Sequence, residues 1–125
     1  MQLTLERTGD ANRIRAYDVG SVTVNESVYR GVTVVTPDRI IEDWLQVAVH
    51  ALETEHMRQL IALDAEILLL GTGRRQQFPE PRLLGEVIRE GVGIEVMTTE
   101  AACRTYNVLL AEGRRVAAAL FPIEE

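Results

Sequence analysis

The chain has 125 residues, 46% of them hydrophobic, enough for one domain spanning residues 1–125 to bury a core without disulfides or metal. Nineteen acidic residues outweigh thirteen basic ones for a net charge of -6, which argues against a nucleic-acid backbone or an anionic membrane surface as partner, because both select clustered positive charge. All thirteen basic residues are Arg, so the absence of Lys excludes a Walker A phosphate loop and any Schiff-base or Lys general-base chemistry.

The first fifteen residues carry acidic side chains and no sustained apolar run of signal-peptide type, and the single cysteine, Cys103, can form no intramolecular disulfide. A cytoplasmic protein is therefore expected. The apolar runs, such as residues 67–70 and 116–121, fall far short of the roughly 20 residues that a membrane helix needs, so no membrane insertion is expected.

Residues 13–37 alternate: Ile14, Ala16, Val22, Val24, Val28, Val32 and Val34 recur at even spacing, broken at Val19-Gly20 and Asn25-Glu26. That is the pattern of antiparallel β-structure. Pro37 and Asp38 end it, and residues 39–51, with Ile40, Ile41, Trp44 and Leu45, fit a helical turn and a strand equally. Thr54 is the expected cap of a helix with Glu55 in its first turn and Met57, Leu60 and Ile61 on its buried face, and Asp64 marks the exit.

Residues 65–70 form a nearly unbroken apolar run into Gly71-Thr72-Gly73, as expected of a strand buried on both faces. Pro81 suits a first helical turn, and Leu84, Val87 and Ile88 supply an i, i+3, i+4 stripe before Gly91 stops the helix. Gly93 to Met97 is a second strand, so residues 65–97 make a strand, helix and strand of the length a parallel crossover needs. The pattern repeats once more: Thr98 or Thr99 caps a helix with Ala102, Tyr106, Leu109 and Leu110 on one face, Gly113 ends it, and residues 116–121 form a final strand. An α/β domain follows, β-rich at first and alternating strand and helix behind.

Several of these segments carry a resemblance. Ile67-Leu68-Leu69-Leu70 running into Gly71-Thr72-Gly73, Met97-Thr98-Thr99 leading into Ala101-Ala102-Cys103-Arg104-Thr105-Tyr106-Asn107-Val108-Leu109-Leu110, and the closing Gly113-Arg114-Arg115-Val116-Ala117 together resemble a family of small prokaryotic domains of unknown function whose mitochondrial relative is respiratory complex I assembly factor 3. The resemblance covers residues 13–120. It implies a three-layer β/β/α domain with a mixed central sheet, helices on one face and a smaller β-layer on the other. Thr99, Cys103, Tyr106 and Asn107 match the family's threonine, cysteine, tyrosine and asparagine run, which brings no established catalytic role. A targeting segment, behind which the mitochondrial relative is imported, is not expected before Arg13.

The loop Gly71, Thr72, Gly73, Arg74 and Arg75 is the strongest local candidate for a ligand site. Glycines at the C-terminal end of a buried strand let backbone N–H groups approach an anion, and paired arginines add carboxylate or phosphate recognition. Thr98 and Thr99 at the start of the last helix belong to the same candidate. As a dinucleotide fingerprint the loop is incomplete: Gln76 stands where a third glycine belongs, Pro79 and Pro81 delay the helix, and Glu95, 22 residues beyond Gly73, falls inside the second strand. The other reading of the loop is a tight structural turn. No cofactor is expected.

Cys103 sits near the start of the last helix, where the helix dipole can activate a thiol, but His50 and His56 lie some fifty residues earlier, and core packing is the expected role. His50, Glu53 and His56 share three-residue spacing, yet steps of three residues turn about 300° on a helix, so the outer pair diverge by roughly 120° and no metal site is expected. Asn107, polar in mid-helix, fixes either a ligand or the backbone groups between that helix and the Gly71-Thr72-Gly73 turn.

The chain lacks a complete catalytic constellation. A non-enzymatic binding or assembly module is expected, its partner a protein of a larger complex or a second copy in a homodimer. The alternative is a small-molecule or anion-binding protein or enzyme that uses the loop at Gly71 to Arg75.

Overall fold

The structure, a computed structural model, describes residues 10–125. Residues 1–9, which bear on the signal-peptide reading and on the domain's first boundary, lie outside the described part.

The alternating N-terminal stretch forms β1 (Ile14–Asp18), β2 (Ser21–Val24) and β3 (Ser27–Arg30), an antiparallel sheet in that order. Its turns fall at the predicted breaks, with Gly20 at φ 77° and Asn25 at φ 54°, the left-handed region in which Gly and Asn are at home. β4 (Thr33–Thr36) continues the alternation but leaves this sheet. It pairs antiparallel with β5 (Arg39–Ile41) on one side and with β8 (Val116–Phe121) on the other. The ambiguous stretch 39–51 thus begins as a strand and ends in a 3-10 turn, Val49–Ala51.

The rest of the main sheet comes from β6 (Ile67–Thr72) and β7 (Gly93–Met97), and the strand order is β5-β4-β8-β6-β7. β6 runs parallel to both neighbours, as the crossover pattern predicted, and the last strand to be made inserts between β4 and β6. This gives the mixed sheet implied by the resemblance. Every residue of β8 is buried.

Each face of the sheet has its own core. α1 (Thr54–Ile61) and α2 (Pro81–Arg89) cover one, where Met57, Leu60, Leu83 and Val87 meet Leu68, Leu70, Ala117 and Ala119. The small sheet covers the other, together with α3 (Thr99–Ala111), so that Ile14, Tyr17 and Val24 join Ala102, Cys103 and Tyr106 over Leu69, Ala118 and Leu120. No helix among the described residues is long and apolar enough to cross a membrane.

Two local expectations are corrected. Thr54 is the first helical residue of α1 and not its cap; Glu53 holds that position, and its N–H donates to His56 Nδ1 at 2.9 Å. The buried face of α2 is Leu83 and Val87, both fully buried, whereas Ile88 is 60% exposed. Leu83 and Val87 pack into the core against the sheet, and the same rotation sets a polar flank toward α1, where Arg82 Nη1 donates to Thr54 Oγ1 at 3.1 Å and that hydroxyl donates to Glu86 at 2.9 Å. Leu84 is left half-buried and Ile88 exposed.

Candidate functional site

Gly71 and Thr72 end β6, and Gly73 turns the chain away from the sheet at φ 94°. At Gly71 the requirement is space: a Cβ there would lie 3.0 Å from Thr99 Cα and 3.1 Å from Ala102 Cβ, so the missing side chain lets α3 pack onto the strand. Gly73 N–H donates to Thr99 Oγ1 at 2.8 Å, the Thr99 hydroxyl donates to Phe121 O at 2.6 Å, and Thr99 N–H donates to Gly73 O at 2.9 Å. Thr72 Oγ1 lies 2.6 Å from Arg75 O and accepts from Gln77 N–H at 3.0 Å. Each of these groups belongs to a turn tied to α3 and to the end of β8.

Arg74 and Arg75 are exposed. Arg74 Nε donates to Glu124 O in the segment after β8. Thr98 is the cap of α3 and accepts from Ala101 N–H at 3.2 Å. The structure therefore gathers Gly71, Thr72, Gly73, Thr98 and Thr99 at one end of the sheet.

Asn107 stands elsewhere. Eight residues past Thr99, it is about 12 Å along the helix axis, and its amide grips β1: Oδ1 accepts from Ile14 N–H at 3.0 Å and Nδ2 donates to Ile14 O at 2.7 Å. One side chain thus satisfies both polar groups of a fully buried residue. Asn107 does fix backbone, but the backbone of the small sheet and not the Gly71-Thr72-Gly73 turn. Tyr106 Oη adds a bond to Asn12 O at 2.8 Å, and burial pushes its phenol above the ordinary range.

Cys103 is fully buried in the core between α3 and the two sheets. Desolvation pushes its thiol up to about 12, against the small lowering by Arg104. An activated nucleophile requires the opposite shift. His56 serves α1 as described, and its ring meets Trp44 edge-on at 5.9 Å while Trp44 Nε1 donates to Gln59 at 2.7 Å. Among the described residues no group of His, Cys, Asp and Glu has the arrangement of a metal site.

Among the described residues, three of the surface concavities bear on the site. One of about 500 Å³ lies between α1 and α2 and is lined by Met57, Arg58, Ile61 and Glu86. A second, of about 550 Å³, opens beside Pro37, Arg39, Leu110 and Arg115. The third, of about 440 Å³, lies beside Asp43, His50, Thr72 and Phe121. None of the three is lined by Gly73, Arg74 or Thr98.

A mixed five-stranded sheet with two helices on one face and a three-stranded sheet plus a helix on the other defines a small two-sheet α/β domain. The chain belongs to the family described as protein of unknown function DUF498/DUF598, which matches residues 14–121. It is 33% identical over 112 residues to the zebrafish NADH dehydrogenase [ubiquinone] 1 alpha subcomplex assembly factor 3, covering 87% of this chain and 63% of the zebrafish protein. The Francisella tularensis 13 kDa major membrane protein is 25% identical over 103 residues, 82% of this chain and 84% of its own. A crystal structure of a Bordetella parapertussis protein superposes with a TM-score of 0.84 at 36% identity, covering 91% of this chain and 98% of that one. The mixed central sheet and the smaller β-layer expected from the resemblance are observed, but the helices do not all share one face: α3 packs beside the small sheet, opposite α1 and α2. Sequence reasoning missed the Glu53–His56 cap, because a histidine at the third helical position carries no familiar capping signal, and it missed the attachment of Asn107 to β1, which joins residues 93 positions apart.

Proposed function

We propose that the chain is a non-enzymatic protein-binding module of the cytoplasm that acts in the assembly of a larger complex, with subunits of a respiratory NADH dehydrogenase as its clients. The observation that carries this reading is the kinship with complex I assembly factor 3 across 87% of the chain. Two structural observations support it. The polar groups at the Gly71 to Thr99 turn hold the fold together, and the one cysteine is buried with a raised pKa.

The test is genetic and biochemical. In a bacterium that carries this chain, deletion of its gene should deplete fully assembled NADH dehydrogenase on native gels and leave subcomplexes behind, and re-expression should restore it. Unchanged assembly in the deletion strain would reject the respiratory client.

A further inference from the structure

The far edge of the main sheet is β7, which pairs with β6 alone among the described strands. In a parallel pair the residues of a strand bond alternately inward and outward. Gly93 N–H bonds Glu66 O at 3.0 Å, and Met97 O accepts from Thr72 Oγ1 at 3.2 Å, both on the β6 side. Gly93, Glu95 and Met97 therefore point their peptide groups inward, and Ile94 and Val96 point theirs outward. Of the outward groups, Val96 O accepts from the Gln76 side chain at 2.9 Å, where an added strand's N–H would sit.

A ledge lies beside this edge. Because Arg82 and Glu86 face α1, the opposite flank of α2, carrying Leu84 and Ile88, overhangs β7, and Ile88 is 60% exposed. Ile94 and Val96 pack in the core beneath that helix, whereas Met97 packs in the core on the α3 side. Glu95, exposed, shares the α3 side with Met97. A sheet edge beside an apolar helix flank is the geometry by which extended peptides are bound as an added strand, and an added strand here takes the place of the exposed Gln76 amide at Val96 O.

We propose that β7 is a docking edge for an extended segment of a partner protein, with apolar side chains on the α2 side against Leu84 and Ile88 and a basic side chain opposite Glu95. The charge selects the occupant. Two copies paired antiparallel with Ile94 opposite Val96, the register that uses both outward residues of each strand, would set Glu95 against Glu95, and like charges directly opposite destabilise a strand pair. A segment that alternates apolar and basic residues meets both faces favourably. This rests on the protein-binding reading and names the surface that such binding uses.

Synthetic pentapeptides test it without a native partner. Blocked Val-Arg-Val-Arg-Val, titrated into isotope-labelled protein, should shift the amides of Ile94 and Val96 saturably and slow their hydrogen exchange. Val-Glu-Val-Glu-Val should bind roughly fivefold more weakly, the scale of one cross-strand charge pair reversed in sign. Glu95→Arg should invert that preference, and Ile88→Asp, at an exposed position, should weaken both peptides while the melting temperature holds. Shifts that map away from β7, a preference blind to charge, or a wild-type dimer that vanishes in Glu95→Arg would each overturn the proposal. A negative peptide result beside an assembly defect in the deletion strain removes the β7 site alone. Peptide binding beside normal assembly removes the respiratory role alone.

Discussion

Gly73 and Thr99 are joined twice: the glycine N–H donates to the threonine hydroxyl at 2.8 Å, and the threonine N–H donates back to the glycine carbonyl at 2.9 Å. The same hydroxyl donates to Phe121 O at 2.6 Å, so one side chain ties the end of β6, the start of α3 and the end of β8. An anion at this turn would compete for an N–H that already has a buried partner.

Thr99→Val keeps the shape of the side chain and removes its hydrogen bonds. It leaves Gly73 N–H and Phe121 C=O unpaired beside a fully buried residue, at a cost of roughly 2–4 kcal/mol for the two groups. Thr99→Ser keeps the hydroxyl and should cost about 1 kcal/mol for the lost methyl group. Denaturant unfolding of both variants checks this, and equal losses would show that the hydroxyl is not the tie.

Asn107→Ala should cost about 2 kcal/mol, because both polar groups of Ile14 lose their partner. Asn107→Asp keeps an acceptor for Ile14 N–H but sets a carboxylate against Ile14 O, so it should be no more stable than the alanine variant at neutral pH. Amide exchange at Ile14 reports the same bond: fast in both variants and slow in the wild type. Slow exchange in Asn107→Ala would contradict the contact's role.

The pH dependence of stability follows from Cys103. An ordinary thiol ionises near 9.0, whereas burial holds this one protonated up to about 12. The folded state therefore binds more protons than the unfolded chain in that window, so this contribution is intact below pH 9 and is lost as pH rises toward 12, at up to about 1.4 kcal/mol per unit. Tyr106, also raised by burial, adds to the loss at higher pH. Cys103→Ala should delay the onset of the decline, and a thiol reagent should label native protein far more slowly than unfolded protein. An unchanged onset, or rapid native labelling, would contradict the burial.

Arg74 and Arg75 are exposed, so replacing both with Ala should leave the melting temperature essentially unchanged. Titration of phosphate, nucleotides and carboxylate metabolites into labelled protein should give no saturable shift at Gly71, Gly73 or Thr98. A saturable shift that the double variant abolishes would revive the ligand-binding alternative.

Much of the architecture is legible in residue order. The crossover unit reads directly from the apolar run into Gly71-Thr72-Gly73, Pro81, Gly91 and the strand at Gly93, because each boundary is set by a local backbone preference. The switch of β4 into the main sheet is not legible, since its partner β8 lies more than eighty residues on and alternation does not say which sheet a strand joins. In α2 two apolar i, i+4 pairs overlap, Leu83 with Val87 and Leu84 with Ile88; period alone cannot choose between them, and the choice lies in the packing of α2 against the sheet and α1. The site divides the same way. The gathering of Thr99 with Gly73 follows from a strand end meeting a helix start, but the reach of Asn107 to Ile14 depends on a packing of layers that no local pattern encodes.

The most direct test of the protein-binding account is quantitative capture from native lysate with the folded wild-type chain, the Arg74→Ala/Arg75→Ala variant and the Ile88→Asp/Glu95→Arg variant, reading retained proteins and small molecules by mass spectrometry. The account predicts subunits of the NADH dehydrogenase on the wild type and on the arginine variant, and their loss from the β7 variant. Retention of a small molecule that is lost only with the arginines, with no such subunit enriched on any of the three, would contradict it.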